Sequence, residues 1–273
     1  MIFINCYLCN IFSTTFILRQ KYYFSHLKFR IYFLVILPNL YFFYRNLVEI
    51  DRKIVLTDDG SSTLFSEEVN QHYHSHFGAL QESNHIFIDA GFCSDILSNL
   101  ETVSILEIGF GTGLNALLTY FKAKELQKKV YYKTLELYPL TQQEVEQLNY
   151  PSLLPYPDTK EIFTALHDVS FNQKQIISEN FTLHKRQISA INANYTPNSF
   201  DLVYFDAFSP EAQPELWTKE VFEPICQSMK PNSVLLTYCT KGSVKKILTE
   251  LGFQIEKLPG PVGKREILRG DKI

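Results

Sequence analysis

Cysteine is scarce in this sequence of 273 residues, and neither sign of charge dominates it. The five cysteines are odd in number and do not follow the spacing of a disulfide-rich protein. This argues against stabilisation by disulfide bonds and favours a reducing compartment. The 26 basic and 29 acidic side chains give a net charge of −3, so overall charge does not indicate a nucleic-acid-binding protein. Hydrophobic residues make up 45 %, which excludes collagen-like and wholly disordered classes and is enough for one full-size core.

Residues 1–48 lack glycine, alanine, aspartate and glutamate altogether, whereas aromatic residues are abundant there. All the charged residues of this stretch are basic, and its apolar run 31–44 contains Pro38. That run is shorter than the ~20 residues that a membrane-spanning helix needs. A signal peptide would carry basic residues ahead of its apolar part and a small-residue cleavage site, and neither is present. We therefore expect residues 1–48 to be an extension that is not part of the native protein, with a membrane anchor as the alternative.

From residue 104 onward, apolar runs alternate with amphipathic stretches, which is typical of an α/β protein with a parallel sheet. The sequence predicts a first segment at 49–103, made of strands and turns around Asp58-Asp-Gly60, and an α/β core at 104–273. The predicted strands of the core are 104–108, 130–137, 181–184, 200–206 and 234–239, followed by an antiparallel pair at 253–258 and 265–269.

Three glycines, Gly109, Gly111 and Gly113, follow the first predicted strand of the core and precede a predicted helix at 114–124. Glycine allows the backbone to pass close beneath a ligand where a strand turns into a helix. A dinucleotide-binding fingerprint places its third glycine one position later, where this chain has Leu114. The spacing therefore disfavours NAD and FAD.

Two acidic residues beside this turn favour a cationic ligand instead. Glu107 stands two residues before the first glycine, and Glu136 ends the second predicted strand of the core. S-Adenosylmethionine carries a sulfonium and an ammonium and no phosphate, so a carboxylate at the turn would attract it. A carboxylate at Glu136 could accept hydrogen bonds from both ribose hydroxyls. We predict S-adenosylmethionine as the cofactor; a tight turn without a ligand is the alternative.

Asp206 follows the fourth predicted strand, in the run Asp206-Ala-Phe-Ser-Pro210. In an open α/β sheet the ligand crevice lies beyond the carboxyl ends of the strands. A carboxylate there can hold an alkylammonium, whose pKa is about 10, and help to remove its proton before methyl transfer. Phe208 could face a planar base, and Glu82 is a candidate for lining the crevice. The alternative is that Asp206 caps a turn and Phe208 belongs to the core.

Three histidines, His72, His74 and His76, alternate as on one face of an extended strand. No nearby carboxylate or cysteine pattern completes a metal site, so we predict no metal.

Several of these motifs together resemble the methyltransferase half of the bifunctional tRNA 5-methylaminomethyl-2-thiouridine biosynthesis enzymes, the MnmC-like family. The matching stretches are 107–115, 135–140, 206–210 with Trp217, 237–244 and 263–268. The resemblance implies a class I, Rossmann-like methyltransferase fold that methylates the aminomethyl nitrogen of the wobble uridine in tRNA.

By position, the resemblance also implies roles for individual residues. Asp206 would be the catalytic carboxylate, and Lys264 and Arg265 would lie near the crevice or the tRNA. The cofactor would be held by Glu107, Gly109, Gly111, Gly113, Asn115 and Glu136. Relatives place an acid after the third strand to meet adenine, where this chain has Lys185-Arg-Gln187; Gln187 could still form a hydrogen bond.

The bifunctional relatives continue into a flavin oxidase domain, whereas this chain stops at Ile273 without a second glycine-rich fingerprint. We therefore expect it to depend on other enzymes for the aminomethyl substrate, and to work in the cytoplasm without a membrane partner. Two rival functions stay open: a methyltransferase acting on small-molecule or protein amines, and a cofactor-binding subunit without turnover.

Overall fold

An eight-stranded sheet forms the centre of residues 51–273, the part of the chain that the computed structural model describes. The prediction on residues 1–48 lies outside the described residues. The strands are β1 (Arg52–Leu56), β2 (Ser62–Ser66), β3 (Gln71–His72), β4 (Thr102–Ile108), β5 (Lys129–Leu135), β6 (Lys174–Ser178), β7 (Phe181–Arg186), β8 (Phe200–Phe205), β9 (Met229–Thr237), β10 (Gln254–Pro259) and β11 (Glu266–Lys272). The α-helices are α1 (Ala79–Ser83), α2 (Leu114–Glu125), α3 (Gln142–Glu146), α4 (Tyr150–Leu153), α5 (Thr159–Asp168), α6 (Lys219–Ser228) and α7 (Gly242–Glu250).

The strand order of the large sheet is β10-β11-β9-β8-β4-β5-β7-β6. The central strands β9, β8, β4, β5 and β7 are parallel, and β11 and β10 close one edge as an antiparallel pair. The chain proceeds from β4 towards β7 on one side and later from β8 towards β9 on the other. The order therefore reverses between β4 and β8, which is where the ligand crevice of an open parallel sheet lies.

Strand β8 is buried along its whole length and β4 along most of its length, because both faces of the sheet are covered. On β8, Leu202 and Tyr204 pack into one buried cluster with α2, whereas Val203 and Phe205 pack into a second cluster with α6 and α7. Successive side chains of a strand point to opposite faces of the sheet, so the six residues of β8 contribute to the core on both faces.

The predicted central sheet with its antiparallel pair is confirmed. Strand β6 was missed: it pairs antiparallel with β7 at the sheet edge, and its sequence Lys-Gln-Ile-Ile-Ser is largely exposed. An edge strand covered on neither face carries little of the apolar pattern by which strands are recognised.

The segment before β4 begins as predicted and then departs from the prediction. Strands β1, β2 and β3 form a small antiparallel sheet whose first turn contains Asp58-Asp-Gly60. Residues 79–92 are helical, however, because α1 runs directly into a π-helix at Asn84–Phe92, so strands and turns were wrong there. Ile86, Phe87 and Ile88 of this helix are buried in the same cluster as α2. A short apolar run of this kind has no period that distinguishes a buried helix from a strand.

None of the helices within residues 51–273 has both the length and the apolar character needed to cross a lipid bilayer.

Candidate active site

The glycine-rich turn joins β4 to α2, and all three of its glycines have positive φ angles. Gly109 has φ +94°, and a Cβ there would lie 2.5 Å from the backbone oxygen of Asp206. Only glycine allows this approach, because the neighbouring atom belongs to rigid backbone. The turn therefore lies directly against the carboxyl end of β8, and the contact that requires Gly109 is with protein backbone.

Glu136 is attached to this turn. Its Oε2 accepts a hydrogen bond of 2.9 Å from the backbone N–H of Gly111, and its Oε1 accepts one of 2.8 Å from the N–H of Tyr138. Each carboxylate oxygen can accept a second hydrogen bond, so the capacity to bind ribose hydroxyls is retained. The structure thus brings together Glu136 and Gly111, 25 residues apart in sequence.

Glu107 lies on β4 just before the turn and is fully buried. Neither of its carboxylate oxygens forms a well-aligned hydrogen bond with a described residue, but the side chains of Thr134, Tyr132 and Asn115 lie close enough to oppose the rise in its pKa. Burial raises the pKa of Glu107 to about 8, and the charge of Asp206 contributes to the increase. Burying the charged form of a carboxyl is costly, and a positively charged ligand beside it would relieve that cost.

Asp206 directly follows β8 and is hydrogen-bonded to the helix that follows the glycine turn. The buried side chain of Asn115, on α2, donates a 2.8 Å hydrogen bond from Nδ2 to Oδ2 of Asp206. Burial raises the pKa of Asp206 to about 7, against the opposing effect of the Asn115 hydrogen bond. A carboxyl with this pKa can exchange a proton near neutral pH, as a general base must.

Glu82 and Lys264 form an ion pair that acts on Asp206. Glu82 is buried on α1 and accepts a 2.6 Å hydrogen bond from the N–H of Ser75, while its other oxygen pairs with the Lys264 ammonium. The Lys264 ammonium lies 4.1 Å from the centre of the Tyr238 ring. Glu82 raises the pKa of Asp206 and Lys264 lowers it, so both charges act on this carboxylate.

The remaining predicted site residues are more loosely placed. The Phe208 ring is half-buried and meets Tyr73 edge-on at 4.9 Å between ring centres. Gln187 and Arg265 are exposed, and their side chains make no hydrogen bond or ion pair within residues 51–273. The structure therefore brings Glu107, Asn115, Glu136, Asp206, Glu82 and Lys264 to one end of the sheet, and leaves Gln187 and Arg265 at its surface.

The sequence analysis missed Arg52. Its guanidinium is almost fully buried, and it donates a 2.6 Å hydrogen bond to the backbone oxygen of Tyr138 and pairs with Glu144 at 3.1 Å. Arg52 thereby supports the turn that carries Glu136. Its partners lie 86 and 92 residues away, so no local pattern indicates this role.

The three histidines 72, 74 and 76 do not form a metal site. His74 is hydrogen-bonded to Thr63 Oγ1 at 2.9 Å, and burial lowers its pKa to about 4. Within residues 51–273, no group of three or more histidine, cysteine or acidic side chains is arranged to hold a metal ion.

Comparison with known proteins agrees with this geometry. Residues 159–273 match the family described as S-adenosyl-L-methionine-dependent methyltransferase. The sheet order, the glycine turn and its two acidic neighbours define a Rossmann-like methyltransferase fold. The predicted resemblance to the MnmC-like methyltransferases is also confirmed, by relatives in sequence and by a solved structure.

The MnmC bifunctional protein of Nitrosospira multiformis is 28 % identical over 224 residues, which cover 79 % of this chain and 36 % of the relative. Its counterpart in Leptospira interrogans is 30 % identical over 226 residues, with 79 % and 35 % covered. The crystal structure of MNMC2 from Aquifex aeolicus superposes with a TM-score of 0.66 at 25 % identity, covering 81 % of this chain and 70 % of that one. The chain therefore spans about a third of the length of the curated relatives that it matches.

Proposed function

We propose that this protein transfers a methyl group from S-adenosylmethionine to the 5-aminomethyl nitrogen of the wobble (2-thio)uridine in tRNA, giving 5-methylaminomethyl-2-thiouridine. The names of its relatives support this proposal. The observation that carries it is a carboxylate, Asp206, at the switch point of the sheet, hydrogen-bonded to the helix that follows the glycine turn.

The residues around the turn fit the proposed cofactor. When bound, S-adenosylmethionine supplies a methyl group on a positively charged sulfur, which takes the electron pair of the broken bond. Glu107 offers a fully buried carboxylate to such a cation, and Glu136 offers acceptors to its ribose. Gly109, Gly111 and Gly113 keep the backbone free of side chains at this place, and the unpartnered Oδ1 of Asn115 is a further acceptor. The proposed adenine contact at Gln187 stays a prediction.

Asp206 prepares the acceptor nitrogen. An alkylammonium has no lone pair, so it must lose a proton before it can form a bond to carbon. We assign that proton to the Asp206 carboxylate, and the freed lone pair then forms the new nitrogen–carbon bond. With its pKa near 7, Asp206 can take up the proton and release it to water after transfer.

The remaining polar groups serve the acceptor. Phe208 offers a ring to the base, and Glu82 with Lys264 sets the charge around Asp206. Lys264 is already paired with Glu82, so the exposed Arg265 is the better candidate for contacting a phosphate of the tRNA. Because the proposed acceptor already carries an aminomethyl group, a separate reaction must form that group first, and we place the methylation in the cytoplasm.

The test is an initial-rate assay with labelled S-adenosylmethionine and tRNA that carries 5-aminomethyluridine. Asp206→Asn should slow transfer by about a hundredfold or more, because a positioned base contributes about 10²–10⁴. Its affinity for the cofactor, measured by calorimetry, should be almost unchanged. Asp95→Asn, at an exposed aspartate remote from the site in sequence, is the matched control and should keep the wild-type rate.

Two outcomes would replace the proposal. Transfer to small amines or peptides but not to this tRNA would indicate the first rival function. Cofactor binding without transfer to any tRNA fraction would indicate a non-catalytic subunit.

A further inference from the structure

The loop that follows β8 carries both Asp206 and Phe208, and three side chains from other parts of the chain hold it. The Tyr238 hydroxyl donates to the oxygen of Ala207 at 2.8 Å. The Trp217 indole donates to the oxygen of Phe208 at 2.8 Å. The third attachment is at Ser209. Consecutive peptide units of the loop are thus each held by a different side chain, because sheet pairing has ended at this point.

Gln71 holds Ser209 by two hydrogen bonds. Its amide nitrogen donates to Ser209 Oγ at 2.6 Å, and its amide oxygen accepts from the Ser209 backbone N–H at 3.2 Å. Two bonds from one planar amide fix both the position and the orientation of this residue. Gln71 lies on β3, 138 residues before Ser209, so the bonds connect the small sheet to the loop.

Tyr73, two residues beyond Gln71, contacts the same loop and also the glycine turn. Its ring meets Phe208 edge-on, with 4.9 Å between centres. A Cβ on Gly111 would lie 3.1 Å from this ring, so the ring packs directly against the turn. Gln71 and Tyr73 alternate with the histidines 72 and 74, which make different contacts: His72 packs on Phe65 and His74 bonds to Thr63.

We propose that Gln71 is a positioning residue: it holds Ser209 so that Asp206 and Phe208 keep their places opposite the glycine turn. Catalytic groups need to be held within about 0.5 Å of the productive geometry, and a displacement of about 1 Å can cost a hundredfold in rate. The consequence for catalysis rests on the function proposed above, whereas the effect on the loop does not.

The test compares three variants of the full chain. Gln71→Met keeps the length of the side chain and removes both hydrogen bonds. Gln71→Glu keeps two acceptor oxygens, which can bond to the N–H and the O–H of Ser209. His72→Gln changes the exposed neighbour on the same strand and is the matched control.

Hydrogen–deuterium exchange of peptides spanning 206–213 and 109–115 reports the position of the loop without any substrate. Gln71→Met should speed exchange in 206–213 about tenfold, since a partly buried pair of hydrogen bonds is lost, and leave 109–115 unchanged. Gln71→Glu should restore most of the protection, and His72→Gln should behave as wild type. Unchanged exchange of 206–213 in Gln71→Met would overturn the proposal. If Gln71→Met does not fold, Ser209→Ala, which keeps the backbone bond, should show a smaller increase in the same peptide; no increase would also overturn it.

Kinetics give the second measurement. Gln71→Met should lower kcat for methyl transfer about tenfold while the dissociation constant of S-adenosylmethionine stays within about twofold of wild type. A parallel loss of cofactor affinity and thermal stability, without a specific fall in kcat, would indicate a purely structural role and contradict the positioning role. If wild-type protein fails to methylate the tRNA, the proposed function fails, and the exchange experiment still decides the role of Gln71 in the loop.

Discussion

Binding of S-adenosylmethionine should release a proton from Glu107. Burial raises the pKa of this carboxyl to about 8, against the opposing effect of the Thr134, Tyr132 and Asn115 side chains beside it. A cation bound beside it favours the ionised form and lowers its pKa. The proton must then leave for the solvent, so affinity for the cofactor becomes dependent on pH.

The size of the effect follows from that pKa. At pH 7 a group with a pKa of about 8 is about nine tenths protonated, and at pH 8 it is about half protonated. Glu107 should therefore release up to about 0.9 proton per cofactor bound at pH 7 and about 0.5 at pH 8. By linkage, the affinity should rise about tenfold between pH 6 and pH 7 and level off above pH 8.

Isothermal titration calorimetry in buffers of different ionisation enthalpy measures the protons released. Asp206, with a pKa of about 7, also titrates in this range, so the comparison is between wild type and Glu107→Gln. The difference between them should be about 0.9 proton at pH 7. Equal proton release in the two proteins would refute the assignment of Glu107 as the buried group that faces the cation.

Three further predictions concern the stability of the site. Gly109→Ala should lower the free energy of unfolding, measured by urea denaturation, by roughly 3 kcal/mol, because its Cβ would lie 2.5 Å from the Asp206 backbone oxygen. The control Gly252→Ala, also at positive φ but with no atom within 4 Å of its Cβ, should lower it by only about 1 kcal/mol. Equal losses in the two variants would contradict the steric argument. Burial lowers the pKa of His167 to about 4, and its Nε2 bonds to the Thr112 oxygen of the glycine turn at 3.1 Å. Between about pH 6.5 and pH 4 the unfolded state therefore binds more protons at this position than the folded state does. Wild type should lose stability relative to His167→Gln as the pH falls through that window. If urea denaturation gives the same stability difference between the two proteins at every pH, this prediction is wrong. Arg52→Lys should lower the free energy of unfolding by about 2 kcal/mol, because lysine cannot bond to Tyr138 and Glu144 at the same time, as the arginine guanidinium does. The control Lys53→Met removes an exposed ion pair with Glu67 and should give no measurable change in the same denaturation assay.

The features predictable from the sequence are those encoded over short stretches. Apolar runs such as the one at β8 give strands because both faces of the sheet are covered, and Gly109 marks a turn because only glycine fits there. The proximity of Glu107, Glu136 and Asp206 also followed, since parallel strands end at the same edge of a sheet. Their assignment to individual roles in catalysis stays a proposal.

What the sequence could not show depends on pairs that are remote along the chain. Arg52 finds its partners 86 and 92 residues away, and Gln71 finds Ser209 138 residues away. The alternating histidines form a recognisable pattern because metal ligands follow local spacing rules. No such rule identifies Gln71 and Tyr73, which alternate with them. The helical conformation of 84–92 was hidden for a similar reason: its apolar residues acquire their partners only when α2, β8 and β9 pack against them.

We propose above all that Asp206 activates an aminomethyl nitrogen on tRNA for methylation. The most direct measurement is mass spectrometry of the nucleosides from aminomethyl-containing tRNA after incubation with S-adenosylmethionine and either wild-type protein or Asp206→Asn. We expect wild type to convert 5-aminomethyl-2-thiouridine to its N-methyl derivative, and the variant to leave it almost unconverted. Full conversion by Asp206→Asn, or a methyl group on any atom other than that nitrogen, would contradict the claim.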